Sequence, residues 1–224
     1  MTSIFQRHLG ADFGRLHPAM RERFGFATDD GIACVGKGIM ASIWRGPAFT
    51  LPFLHLGAAR HILFPERGDD VPFTIENYAY RDGRGRETVT FVRTFQLPSR
   101  ARRFDATMVY SPARGGVIDY LGTHQHLAAD LDLRVDDRGG LRIRTAGLRF
   151  TEGLPGLRVP RVIRGDATVH EWYDETIDGF HIDVEVRNRT FGPLFGYRGT
   201  FTTEYRPTSV VPAGVRPVRE SGRE

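Results

Sequence analysis

Cysteine is almost absent from this chain: Cys34 is the only one in 224 residues. A lone thiol cannot close an internal disulfide, so a disulfide-stapled scaffold is excluded. Within the apolar run Gly31 to Val35, Cys34 reads as a small packed hydrophobe in a protein of the reducing cytoplasm. Long apolar runs are missing too. No stretch approaches the ~18 residues of a membrane-crossing helix, and MTSIFQRHLGADFGRL lacks the basic-then-apolar order of a secretory signal. Nor is there an excess of one charge: 31 Lys and Arg face 27 Asp and Glu, and the surplus of +4 is scattered. The basic turn Arg100, Arg102, Arg103 has no interleaved aromatics, so a nucleic-acid surface is not expected. There is no Gly-x-Ser-x-Gly elbow, phosphate-binding loop or dinucleotide fingerprint, and Gly36-Lys37-Gly38 alone is too weak to suggest one. Serine, cysteine and lysine are scarce, which disfavours covalent catalysis. No cofactor is implied.

What is present is a rhythm of two. Val71, Phe73 and Ile75 share one face of a strand, as do Val89, Phe91, Arg93 and Phe95, and then Phe104, Ala106, Met108 and Tyr110. Further alternating runs follow at Val117 to Leu121, Gln125 to Leu133, Leu141 to Arg144, Ala167 to Glu175, Gly179 to Arg189 and Leu194 to Tyr205, with Ile32 to Trp44 before them all. Short turns such as Gly115-Gly116 and Asp136 to Gly140 join them, which predicts an antiparallel meander. About nine or ten strands are too many for a flat sheet, so the expected fold is mainly β, a strongly curved half-barrel or barrel. Ser3 or Thr2 caps a first short helix and His17-Pro18 starts a second, together forming a lid or plug. Pro52 to Leu63 reads as a third helix, apolar on nearly all sides and packed on the concave side of the sheet. Residues 1–206 form one domain at this length, and 207–224, with three prolines and no periodicity, read as a disordered tail.

Phe91-Val92-Arg93-Thr94-Phe95, Gly147-Leu148-Arg149-Phe150, Val159-Pro160-Arg161, Glu171, Phe180 to Val184, Gly192-Pro193-Leu194 and Tyr197-Arg198-Gly199 make the chain resemble a bacterial family known as domain of unknown function 4166. Leu9-Gly10-Ala11, Leu16 and Pro18 resemble that family's opening, so the likeness spans most of residues 4 to 206. The resemblance implies work on metabolites, because family members occur alone or fused behind reductase-like dinucleotide domains. Arg93, Glu171, Tyr197 and Gly199 match the family pattern, whereas Phe91 stands where tryptophan is common.

Arg93 is in phase with Val89, Phe91 and Phe95, which aims a guanidinium at an apolar interior, and an inward charge demands a partner. Glu171, in phase with Val169 and Tyr173, is the candidate partner. The pair would hold a ligand's polar end or act in acid–base catalysis; a purely structural ion pair is the competing account. Phe91, Phe95, Tyr173, Tyr197 and Trp172 are the candidate ligand-binding residues. His124 and His126 have the His-x-His spacing of some metal sites but lack the further carboxylate and distant histidine, so no metal is expected. His170, Trp172 and Asp174 on one strand, and His181, Asp183, Glu185 and Arg187 on the next, read as an outer face of cross-strand charge pairs.

The expected function is binding of a hydrophobic small molecule, lipid-like or polyketide- or terpenoid-like, in an apolar pocket inside the curved sheet. The alternative is a cofactor-free cyclase or isomerase using the same pocket, with Glu171 as acid–base. A third account is a filled core whose surface serves a partner. An open sheet edge would also allow pairing with a second copy.

Overall fold

The computed structural model describes residues 2–151 and 164–222, so the Val159-Pro160-Arg161 motif lies outside the described residues. Ten strands alternate along the chain: β1 (Ile32–Arg45), β2 (Gly68–Arg81), β3 (Glu87–Gln96), β4 (Ala101–Ser111), β5 (Gly116–Leu121), β6 (Leu127–Val135), β7 (Leu141–Phe150), β8 (Asp166–Asp174), β9 (Gly179–Asn188) and β10 (Gly192–Pro207). Each pairs antiparallel with its neighbour in sequence, and β10 pairs back onto β1, so the meander closes into a barrel. Closure occupies the edges of β1 and β10 that an open half-barrel would present to a second copy.

The period of two becomes an inside and an outside. Val71, Phe73, Ile75, Val89, Phe91, Phe95, Phe104, Met108, Ile182, Val184, Phe195, Tyr197 and Phe201 belong to one buried cluster inside the barrel. The closing seam depends on two glycines. A Cβ at Gly38 would stand 1.9 Å from the Thr200 carbonyl oxygen, and one at Gly199 would stand 2.1 Å from that of Ile39, beside the register shift between Ile39 and Ser42. No side chain fits there.

The N-terminus forms the plug. Ser3 caps α1 (Ile4–Leu9) by accepting from the Gln6 amide and donates to the Phe24 carbonyl at 2.8 Å, tying α1 to α2 (Pro18–Gly25). His17 caps α2 through Nδ1, and Pro18 occupies its first turn. Ile4, Phe5, Met20 and Phe24 are buried, with Phe5 edge-on to Phe24 at 4.9 Å and to the wall residue Phe91 at 6.1 Å. α1 packs against β3 to β6 and α2 against β8.

The third helix differs from its sequence reading. α3 is shorter, Leu51–Ala58, and only Leu54 is buried; Phe53 is 65% and Leu56 69% exposed. It lies in the β1–β2 connection, from which Leu54 and Phe64 join the interior cluster, Phe64 packing on Phe95 and Phe195, while Phe53 and Leu56 stay outside it. The chain after Pro207 also departs from the expected disordered tail. Thr208 N–H donates to the Gly31 carbonyl, Val218 N–H to that of Thr123, and Arg86 to that of Ser221, while Val215 and Ser221 are buried. Isolated anchors on the outer wall do what periodicity does elsewhere. Among the described residues no helix is long and apolar enough to cross a membrane.

Candidate functional site

Charged side chains enter the barrel from several elements. From the plug comes Arg23, on the same helical face as Met20 and Phe24, with its side chain 0% exposed. Its Nε donates to Glu171 Oε1, whose side chain is 4% exposed; its Nη1 donates to Asn77 Oδ1 at 3.0 Å and to Cys34 Sγ at 3.3 Å. The guanidinium also lies over the rings of Phe201, Phe24 and Phe180, at 4.9, 5.4 and 5.6 Å. Burial alone would lower the affinity of Arg23 for its proton, but Glu171 more than offsets this and holds the cation charged. Burial pushes the Cys34 thiol up, with Arg23 opposing it.

The structure therefore separates the two residues the sequence paired. Glu171 meets Arg23, not Arg93. Arg93 does point inward, and its guanidinium packs over Phe104 at 5.1 Å and Phe91 at 5.4 Å. Its Nε is buried with no hydrogen-bond partner. The carboxylate that feels it is Asp119, in phase with Val117 on β5 and pushed up to about 7 by burial, with Arg93 pulling the other way. Tyr197, fully buried, stands among both groups of charges: Arg93, Glu171 and Arg23 all act on its hydroxyl, which burial pushes up to about 12. Its ring touches Phe95 at 4.9 Å and Phe104 at 6.5 Å, so Phe104 bridges Tyr197 and Arg93.

Of the other candidates, Phe91 and Phe95 line the interior. Tyr173 sits near the plug, stacked on His17 at 4.8 Å with its hydroxyl donating to Asp178. Trp172 faces the opposite way from Glu171. It lies on the outer wall between His170 and His181, at 4.5 and 4.8 Å, and that stacking supplies the cover an indole needs. His170 reaches Asp136, in the β6–β7 turn, at 2.7 Å, while His181 reaches Asp174 at 3.2 Å. His124 and His126 stack at 5.6 Å, and His126 contacts Arg60. Burial and the Arg60 charge hold both histidines below the usual imidazole range. Among the described residues no three His, Cys, Asp or Glu side chains converge as a metal would require.

Three inward polar residues are absent from the sequence-derived set: Arg23, Asn77 and Asp119. Phase is the signal that finds them. Asn77 follows Val71, Phe73 and Ile75 at even spacing, Asp119 follows Val117, and Arg23 falls three residues after Met20.

A closed ten-stranded antiparallel barrel, plugged by helices and carrying two groups of buried charge in an aromatic interior, defines the class of protein. The chain belongs to the family described as Domain of unknown function (DUF4166), whose model matches residues 16–201. It is 32% identical over 208 residues, 92% of this chain and 99% of the relative, to "Uncharacterized protein YndH" of Bacillus subtilis (strain 168).

Proposed function

We propose that the barrel binds a hydrophobic small molecule, lipid-like or polyketide- or terpenoid-like, whose apolar body lies among the interior aromatics and whose polar end meets Arg93, Asp119 and Tyr197. The observation that carries this reading is a set of buried polar atoms with no protein partner: Arg93 Nε, Asp119 Oδ1, Tyr197 Oη, Arg23 Nη2 and Asn77 Nδ2. Each such atom left dry costs about 1–3 kcal/mol, so together they rival the whole stability of a typical domain. An occupant with polar atoms removes most of that cost, and a purely apolar filling removes none of it. Solvent extraction of the protein purified from its own host, followed by mass spectrometry, should recover one amphiphilic compound in near-stoichiometric amount. Nile red should bind the emptied protein and be displaced by the extract. An empty protein that also leaves the dye in water would exclude the reading.

A second reading, a cofactor-free isomerase or cyclase in the same interior, is favoured by Asp119 and no longer by Glu171, which is engaged by Arg23. A carboxyl that titrates near neutrality can both take and return a proton. Asp119→Asn would then keep the extracted compound bound and stop its conversion, and a deletion strain would accumulate an unconverted isomer. Loss of binding without any metabolic block would leave only the first reading.

A further inference from the structure

The unpartnered atoms are not a random mixture of donors and acceptors. Arg93 Nε, Arg23 Nη2 and Asn77 Nδ2 only donate, and the Tyr197 hydroxyl can donate as well as accept. Asp119 Oδ1 is the one unpartnered acceptor among them. Charge points the same way. Arg23 is neutralised by Glu171, and Asn77 carries no charge, so among the described residues with these unpartnered atoms Arg93 is the cation without an ion-pair contact. Its neighbours Phe91 and Phe104 offer ring faces, which attract a cation but accept no directed pair of hydrogen bonds.

We propose that the polar end of the ligand is a carboxylate, held by the Arg93 guanidinium and the Tyr197 hydroxyl, so that the protein takes amphiphilic carboxylic acids in preference to alcohols or amines of the same chain. This rests on the binding reading above and names its ligand class. A carboxylate supplies two oxygens with lone pairs to the donors around it, and it brings the negative charge that Arg93 lacks. Phe104 lies beneath the Arg93 guanidinium at 5.1 Å and edge-on to the Tyr197 ring at 6.5 Å, and it gives the ligand's first methylenes an aromatic wall. Asp119 does not oppose this. Burial already favours its neutral form, and an anion seated by Arg93 adds to that tendency, turning Asp119 into one more donor. The groups acting on it are Arg93 and the desolvation of its own site.

The test compares dodecanoate, dodecanol and dodecylamine in a Nile red displacement titration on the delipidated full-length protein. Dodecanoate should bind roughly tenfold to hundredfold more tightly than dodecanol, the range expected for charge-assisted hydrogen bonds in a desolvated site. Arg93→Leu should abolish that margin, dodecanoate losing affinity by far more than dodecanol, and Tyr197→Phe should reduce the margin several-fold. Equal binding of dodecanoate and dodecanol by the wild-type protein overturns the carboxylate assignment but leaves the hydrophobic-ligand reading standing. Displacement by neither overturns both. If Arg93→Leu does not fold, Tyr197→Phe decides, because it removes a hydroxyl that has no protein partner: a margin unchanged in that variant also overturns the assignment.

Discussion

Replacing Glu171 with glutamine tests whether the Arg23–Glu171 contact carries structure, as its geometry requires. The variant keeps shape and an acceptor but deletes the negative charge beside a cation that has no exposed surface. What remains around Arg23 is Asn77 Oδ1, the Cys34 sulfur and three aromatic faces, all uncharged while the Cys34 thiol keeps its proton. Removing one partner of a buried pair costs about 3–5 kcal/mol, because the other charge is left in low dielectric. The aromatic faces lie over the cation before and after the change, but glutamine keeps a carbonyl acceptor for Arg23 Nε, which draws the expectation to the lower part of that range. For a chain of this size about 3 kcal/mol lowers the melting temperature by roughly 6–12 °C. Differential scanning calorimetry and urea unfolding monitored by circular dichroism would measure it. The double variant Arg23→Met, Glu171→Leu should recover most of the loss, since it removes both charges and fills the space with apolar atoms. A Glu171→Gln protein that melts within ~2 °C of wild type would refute the reasoning and show that Arg23 needs no counter-charge.

Three other outcomes follow from the same interior and its seam. Asp119 loses its proton near pH 4 unfolded and near pH 7 folded, so between these values the folded state holds the extra proton and stability falls as pH rises; the loss is on the order of 4 kcal/mol, is complete above about pH 7, and should vanish in Asp119→Asn on pH-dependent urea unfolding. Gly199→Ala places a methyl group against the Ile39 carbonyl and should cost about 1–3 kcal/mol or prevent closure altogether, seen as a lower urea midpoint; an unchanged midpoint would mean that the β1–β10 seam gives way easily. Cys34, buried and with its thiol pushed up, should resist iodoacetamide in the native protein and react once urea unfolds it, a contrast that mass spectrometry reads directly; rapid labelling of the folded protein would contradict the packing of Arg23 against it.

The aromatic interior and the polar residues within it were legible to different degrees. Alternation alone identified the strands from Val71 to Leu133 and the runs Ala167 to Glu175 and Gly179 to Arg189, because side-chain direction in a strand is fixed by backbone geometry and needs no knowledge of neighbours. The same rule put Arg93, Glu171 and Tyr197 inside and Trp172 on the other face from Glu171. It misjudged the helix read over Pro52 to Leu63, where an apolar composition suggested burial on nearly all sides but Phe53 and Leu56 are exposed. It also passed over Asp119 and Asn77, which obey the rule as well as Arg93 does.

The chain's order of residues, by itself, determined that this protein is a plugged, strongly curved antiparallel sheet with charges facing inward, since periodicity, turns and caps are local. Which charge meets which was decided only by closure. Arg23 and Glu171 stand 148 residues apart, and what joins them is the return of β10 to β1 together with the insertion of α2 into the ring so formed. Once that pair is made, Arg93 and Tyr197 are left with unpartnered polar atoms in the interior, and it is this leftover, visible only in three dimensions, that gives the barrel its candidate site.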